Sequence, residues 1–208
     1  MYTLYARAGW GSALVETQLA FYGLDYRLAE IGDLFTDAAA RDALAPANPI
    51  TQIPTLILPD GTVMTESAAI TLLLADATAR DDLVPRSRAV ERARFLRWLV
   101  FIVANIYPTF TYADDPARFV ADEVARPGFR AAVDDYAKRL WGIMEAEAVG
   151  PWFLGDRFSA LDIFIATMTR WRPNRPWFVA ETPKLIAIAA RAEVVPHIAA
   201  VWRRNFPG

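Results

Sequence analysis

The chain has 208 residues and carries 22 Lys and Arg against 24 Asp and Glu, a formal net charge of −2. Nothing in that balance draws it to nucleic acid. Hydrophobic residues make up 54% and charged residues 22%, which implies a substantial core and excludes wholesale disorder. The length allows one large domain or two small ones.

There is no cysteine and a single histidine, His197. Disulfides, thiolate metal sites and a protein thiol nucleophile are thereby excluded. A histidine-based triad or a multi-histidine metal site lacks parts. His197 follows Pro196 and reads as a surface or capping residue. The N-terminus, Met1-Tyr2-Thr3-Leu4-Tyr5, has no basic region followed by a long apolar run, so a secretory signal is not expected. The longest apolar stretch, Trp98 to Ala104, is too short to span a membrane.

Tyr2 to Ala6 reads as a strand, rich in aromatic and β-forming residues. Arg7 to Gly11 is a glycine-containing turn. A helix follows from Ser12 to Tyr22, and Gly23 stands where a C′ glycine ends it. Asp25 to Ile31 alternates as a second strand, and Asp33 to Leu44 reads as a surface helix. Thr55 to Leu58 and Thr62 to Met64 form a hairpin around Pro59-Asp60-Gly61. Glu66 to Ala77 is the next helix. The order β-α-β-α-β-β-α matches a thioredoxin-like α/β domain.

Residues 78 to 88 are polar and broken by Pro85, which sets a boundary between a domain over 1–78 and an all-helical domain over 88–208. Val90, Ala93, Leu96, Val100, Val103, Tyr107 and Phe110 recur at three- and four-residue steps, giving a long helix with one buried stripe. Pro108 should kink or end it. Further helices are predicted over Phe129 to Ala148, Ser159 to Trp171, Pro183 to Arg191 and Val195 to Asn205. Ser159-Ala160-Leu161-Asp162 fits a capping box, with Phe158 and Ile163 at the staple positions. The run Arg170 to Trp177 mixes aromatic and cationic residues, but eight residues in an acidic chain read as snorkelling arginines around a loop rather than a nucleic-acid site.

The most informative stretch is Asn48-Pro49-Ile50-Thr51-Gln52-Ile53-Pro54-Thr55-Leu56, followed by Thr65-Glu66-Ser67-Ala68-Ala69-Ile70. Pro54 cannot donate a backbone hydrogen bond, so it belongs at the first residue or edge of a strand. Its X-Pro bond is one of the few that adopt the cis form at modest cost. Glu66 and Ser67 fall where a new helix leaves its first amides unpaired, an end that attracts a carboxylate. An extended edge paired with a helix N-terminus suits a small peptide.

These elements, in this order, resemble the glutathione-binding half of a glutathione S-transferase, and the resemblance extends along nearly the whole chain, nearest the bacterial branches. It implies a thioredoxin-like N-terminal domain and an all-α C-terminal domain. It implies that Ile53 and Pro54 hold the cysteinyl backbone of glutathione, with Gln52 beside them, and that Glu66 and Ser67 hold the γ-glutamyl end. The first strand-helix turn supplies the hydroxyl that faces the sulfur: Ser12 matches the branches that place it at the helix N-terminus, and Tyr5 the branches that place it at the end of the first strand. A hydroxyl donor, the amides of Gly11 and Ser12 and the helix dipole all favour thiolate over thiol. Ser12 as a plain N-cap and Tyr5 as a core aromatic are the alternatives.

The resemblance places a second substrate, a small apolar electrophile, between the domains. Tyr107, Phe110 and Trp171 are candidates for its wall, with ordinary core packing the competing reading of each. Trp10 departs from the smaller residue commoner at its position, and would cover the sulfur or narrow the second site. The implied activity is a cytoplasmic glutathione transferase, with glutathione as cosubstrate, no cofactor or metal, a homodimer, and no nucleic-acid or membrane partner. Alternatives are a glutathione-dependent peroxidase or isomerase, or a non-catalytic binding or interaction protein of the same fold.

Overall fold

The structure is a computed structural model that describes residues 1–207. The chain forms two compact units, one built from Met1–Val84 with residues 191–207 and the other from Pro85–Ala190.

The first unit is built on a four-stranded sheet in the order β2-β1-β3-β4. Strand β1 (Tyr2–Ala6) runs parallel to β2 (Tyr26–Glu30), joined through helix α1 (Ser12–Tyr22). Gly23, at φ 68°, closes α1 in the left-handed region and returns its N–H to the carbonyls of Ala20 and Leu19. A residue with a Cβ is disfavoured in that conformation. On its other side β1 pairs antiparallel with β3 (Thr55–Ile57), which pairs in turn with β4 (Val63–Met64). Helix α3 (Ser67–Thr78) follows. This is the thioredoxin-like order. Leu4, Leu14, Leu19, Leu56, Ile70 and Leu74 are fully buried in it.

Helix α2 is shorter than the sequence predicts, Ala38–Leu44. The side chain of Asp33 accepts from the N–H groups of Phe35 and Thr36, which holds a turn there. Asp37 then caps the helix, accepting from Ala39 and Ala40.

The other unit is helical. Helix α4 (Arg92–Phe101) runs into a π-helical turn, Ile102–Ile106, and continues as α5 (Tyr107–Asp114). The buried residues along it are Phe95, Trp98, Leu99, Ile102, Ile106, Thr109, Phe110 and Ala113, whereas Val90 is 95% and Val100 55% exposed. The predicted stripe is therefore out of phase in its first half. This segment is apolar on more than one face, and one extra residue in a π turn shifts the helical phase. The turn also accommodates Pro108: the Tyr107 N–H reaches back five residues to Ile102, so the chain stays helical where a proline within a regular helix would break it.

Helices α6 (Arg126–Glu147), α7 (Ala160–Met168), α8 (Arg175–Glu181) and α9 (Pro183–Glu193) follow. Helix α7 ends three residues earlier than predicted, and α8 lies in the stretch read as a loop. Ser159 and Asp162 form the capping box at the head of α7. The Asp162 carboxylate accepts from the Ser159 N–H at 2.7 Å, the Ser159 hydroxyl at 3.2 Å and the Phe153 N–H at 2.8 Å. Helix α10 (Ala199–Asn205) lies in residues 191–207 and packs on α1 of the sheet unit. Among the described residues no helix is long and apolar enough to cross a membrane.

Candidate glutathione site

Three pieces of the sheet unit carry the sequence-predicted residues: the β1–α1 turn, the turn leading into β3, and the head of α3. Ser12, the first residue of α1, is fully buried. Its hydroxyl donates to the Arg7 carbonyl at 3.1 Å and accepts from the Arg7 N–H at 3.1 Å. A serine hydroxyl has one proton to give, and here it goes to Arg7. Gly11 is buried in right-handed backbone at φ −56° and makes no side-chain cap. Gly9 supplies the left-handed residue of the turn, at φ 76°.

Trp10 is half-buried, with its ring 5.2 Å from that of Phe35 and tilted 44° to it. The Arg7 guanidinium lies 5.2 Å from the same ring and pairs with Asp33 at 3.3 Å. Trp10 and Tyr5 both pack on the cluster of Leu34, Ala40, Leu44 and Ile53. That cluster unites three of the sequence-predicted site residues: Tyr5, Trp10 and Ile53.

The Ile53–Pro54 peptide is cis. The β1–β3 ladder ends at the pair Tyr5 and Thr55, so Gln52, Ile53 and Pro54 precede the paired strand. Asn48 and Thr55, which sequence reasoning did not place in the site, fix this turn. The Asn48 amide donates to the Gln52 carbonyl at 2.9 Å and to the Thr55 hydroxyl at 3.1 Å, and that hydroxyl donates to the Gln52 carbonyl at 2.8 Å. The Asn48 side-chain oxygen also accepts from the Ile50 N–H at 3.1 Å. An asparagine two residues before that amide is an Asx-turn signal readable from sequence.

Glu66 is the N-cap of α3 rather than its first residue, with φ 64° and ψ 104°. Its side chain makes no cap to its own helix, so the head of α3 keeps its positive end without an internal carboxylate. Ser67 is buried, and its carbonyl accepts from the Thr71 hydroxyl at 2.8 Å. Thr71 in turn accepts from the Gln18 amide of α1 at 2.9 Å. That bond joins the helix that follows the β1 turn to the helix that carries Ser67.

The remaining candidates lie in the helical unit. Tyr107, Phe110 and Trp171 form an aromatic triad, with ring centroids 6.2 Å apart for Tyr107–Phe110, 5.7 Å for Tyr107–Trp171 and 5.2 Å for Phe110–Trp171, all edge-to-face. Edge-to-face packing is the favoured arrangement of such rings. Arg172 lies 5.7 Å from the Phe110 ring and pairs with Asp134 at 3.2 Å and with Asp114. Burial raises the Asp114 carboxyl above its usual range, with Arg172 opposing. Trp10 belongs to the other unit. Among the described residues no group of three or more His, Asp or Glu is placed to hold a metal ion.

The sheet order, the proline-led strand and the left-handed residue at the head of α3 define a thioredoxin-like protein with an added helical unit. The sequence model of the glutathione S-transferase N-terminal domain matches residues 15–77. The chain is 34% identical over 206 residues to the uncharacterized GST-like protein YncG of Escherichia coli K12, covering 99% of this chain and 98% of that protein. A glutathione transferase structure from Methylococcus capsulatus strain Bath shares 30% identity, covers 98% of both chains and superposes with a TM-score of 0.72. A glutathione transferase homologue from Sulfitobacter, solved with bound glutathione, superposes at 0.86 over 97% of this chain and 96% of its own, at 22% identity, a likeness of fold. The chain belongs to the glutathione S-transferase family.

Proposed function

We propose that the protein binds glutathione in the sheet unit and activates its thiol for attack on a small apolar electrophile. The cysteinyl backbone lies along Gln52, Ile53 and Pro54. The γ-glutamyl end lies at Glu66 and Ser67, over the positive end of α3. The sulfur faces the β1–α1 turn, where Gly11, the Ser12 hydroxyl and the α1 dipole stabilise the thiolate. Tyr5 is the alternative donor. Trp10 covers the sulfur. Tyr107, Phe110 and Trp171 line the electrophile's wall, contributed by the helical unit, Pro85–Ala190. Two copies form the working homodimer, and no metal or cofactor takes part.

The observation that carries this reading is the backbone of Glu66. A non-glycine residue in that region costs about 1–3 kcal/mol and persists where the surroundings and a function hold it. It is held at the position that the family resemblance gives to the γ-glutamyl contact. The bound glutathione of the Sulfitobacter homologue supports the same ligand.

A second reading, a glutathione-binding protein without turnover, is favoured by one observation: the Ser12 proton already goes to Arg7. Donation to a thiolate requires the hydroxyl to leave that carbonyl. Calorimetry with glutathione, ultraviolet titration of the bound thiol and turnover of a chloronitrobenzene separate the readings. Binding with a lowered thiol pKa and turnover supports the transferase. Binding without either supports the second reading, and no binding at millimolar glutathione overturns both. Peroxide and isomerase substrates tested in the same format distinguish the related chemistries.

A further inference from the structure

The turn before α1 is held from a distant part of the sequence. Gly9, in its left-handed conformation, donates its N–H to the Asn205 side-chain oxygen at 3.2 Å. Asn205 is the last residue of α10 and is buried. A Cβ added at Gly9 would stand 3.3 Å from the Asn205 backbone carbonyl oxygen, a tight contact that adds to the strain any side chain would meet at φ 76°. The Asn205 amide nitrogen donates to the Glu16 carboxylate at 2.8 Å and to the Val201 carbonyl at 3.0 Å. Both N–H donors and one acceptor direction of this amide are therefore used, which sets its orientation: oxygen toward Gly9, nitrogen toward Glu16.

Glu16 is on α1, one turn after Ser12, and is 2% exposed. It also accepts from the Tyr26 hydroxyl at 3.4 Å and pairs with Arg204. Burial raises the Tyr26 hydroxyl above its ordinary range, so it stays protonated as a donor. A carboxylate this buried persists only with such partners. The β1–α1 turn thus has two anchors: Ser12 holds Arg7 from one side, and Asn205 holds Gly9 from the other. Between them lie Trp10 and Gly11.

We infer that Asn205, oriented by Glu16, is a positioning residue that holds Gly9-Trp10-Gly11 in its binding geometry, so that α10 forms part of the glutathione site. This rests on the glutathione reading above. Asn205 touches no reacting atom; it acts through the Gly9 amide.

The test compares wild type, Asn205→Ala, Asn205→Asp and the double variant Asn205→Asp with Glu16→Gln in the full chain. Asn205→Asp keeps the acceptor for Gly9 but sets a second carboxylate against Glu16. The double variant restores a donor–acceptor pair with the polarity reversed. The measurements are glutathione affinity, the thiol pKa of bound glutathione, and hydrogen exchange at the Gly9 amide. Asn205→Ala and Asn205→Asp should weaken binding about three- to tenfold and raise the bound thiol pKa, with faster exchange at Gly9. The double variant should recover most of both. If Asn205→Asp does not fold, Asn205→Ala decides. Wild type that binds glutathione, with variants unchanged in affinity and thiol pKa, overturns the inference alone. Equal changes in affinity and thiol pKa in the single and double variants also overturn it, because the pairing of residue 205 with residue 16 then does not set the turn. Wild type that binds no glutathione overturns the functional reading and the inference together, and protected Gly9 exchange then reports a fold contact only.

Discussion

Ser12 and Arg7 hold each other in both directions: the Ser12 hydroxyl donates to the Arg7 carbonyl and accepts from the Arg7 N–H, each at 3.1 Å. The same hydroxyl closes the β1–α1 turn and is the donor proposed for the sulfur. Ser12→Ala should cost about 1–2 kcal/mol of stability, since it leaves two buried backbone groups without this partner. If the hydroxyl also serves the thiolate, the bound thiol pKa rises and turnover falls in the same variant. Denaturant unfolding beside ultraviolet titration separates the roles. A drop in stability with an unmoved thiol pKa would make Ser12 a latch only.

Glu66 carries backbone strain at φ 64°. Glu66→Gly relieves it and loosens the unfolded chain, and the strain term is the larger of the two. The variant should be about 1 kcal/mol more stable and bind glutathione more weakly. Urea denaturation and calorimetry read the two effects. A destabilised variant would show that the Glu66 side chain does more for folding than its backbone takes away.

Asn48 ties the Gln52 carbonyl to the Thr55 hydroxyl. Asn48→Ala should cost about 1–2 kcal/mol, because the buried Thr55 hydroxyl and the part-buried Gln52 carbonyl lose a donor at once. Glutathione affinity should fall too, as the turn before β3 loosens. Unchanged affinity at reduced stability would remove the 52–54 turn from the binding site.

Asp162 is buried, and desolvation pushes its carboxyl up to about 7 against the pull of its hydrogen bonds from Phe153 and Ser159. The unfolded chain titrates this group near the ordinary carboxylate value of about 3.9. Between these values the folded state binds a proton that the unfolded state does not, so stability falls as pH rises. The contribution is present in full below about pH 4 and is lost as pH climbs through the folded value near 7. The stability of wild type relative to Asp162→Asn should therefore be greater at pH 5 than at pH 8, on the order of 1–2 kcal/mol. A difference that does not move with pH would contradict the raised carboxyl. Ser159→Ala removes the cap hydroxyl and one of the bonds that favour the ionised Asp162, so it should cost about 1 kcal/mol, and more at pH 8 than at pH 5.

The order of the first seven elements is legible in the sequence because each is punctuated locally. Gly23 closes α1 and Pro59-Asp60-Gly61 turns the hairpin; in the helical unit Ser159 with Asp162 opens α7 in the same way. Such signals act within a few residues and need no partner from elsewhere in the chain. The buried stripe of α4 is not legible, because Val90, Val100, Phe95 and Leu99 all sit at helical spacing and only packing selects among them. The π turn at 102–106 then shifts the phase by a residue, which periodicity cannot register. In the candidate site, residue type and spacing single out Pro54, Glu66 and Ser67, whereas Gly11 and Ile53 enter through the family resemblance. Asn48 carries a turn signal of its own. The bond from Asn205 to Glu16 spans 189 residues, and nothing near either residue advertises the other.

The chain leaves the sheet unit after Val84 and returns to it at residue 191, so in chain order the helical unit is an insertion between the sheet and its final helix. A polypeptide of residues 1–84 made alone would leave the face of α1 that packs on α10 open to water, with Glu16 keeping only the Tyr26 hydroxyl of the partners named above. It should stay poorly folded until a synthetic peptide spanning 191–207 is supplied in trans, with circular dichroism reporting the complementation. A fragment that folds cooperatively by itself would show that the final helix is dispensable to the sheet.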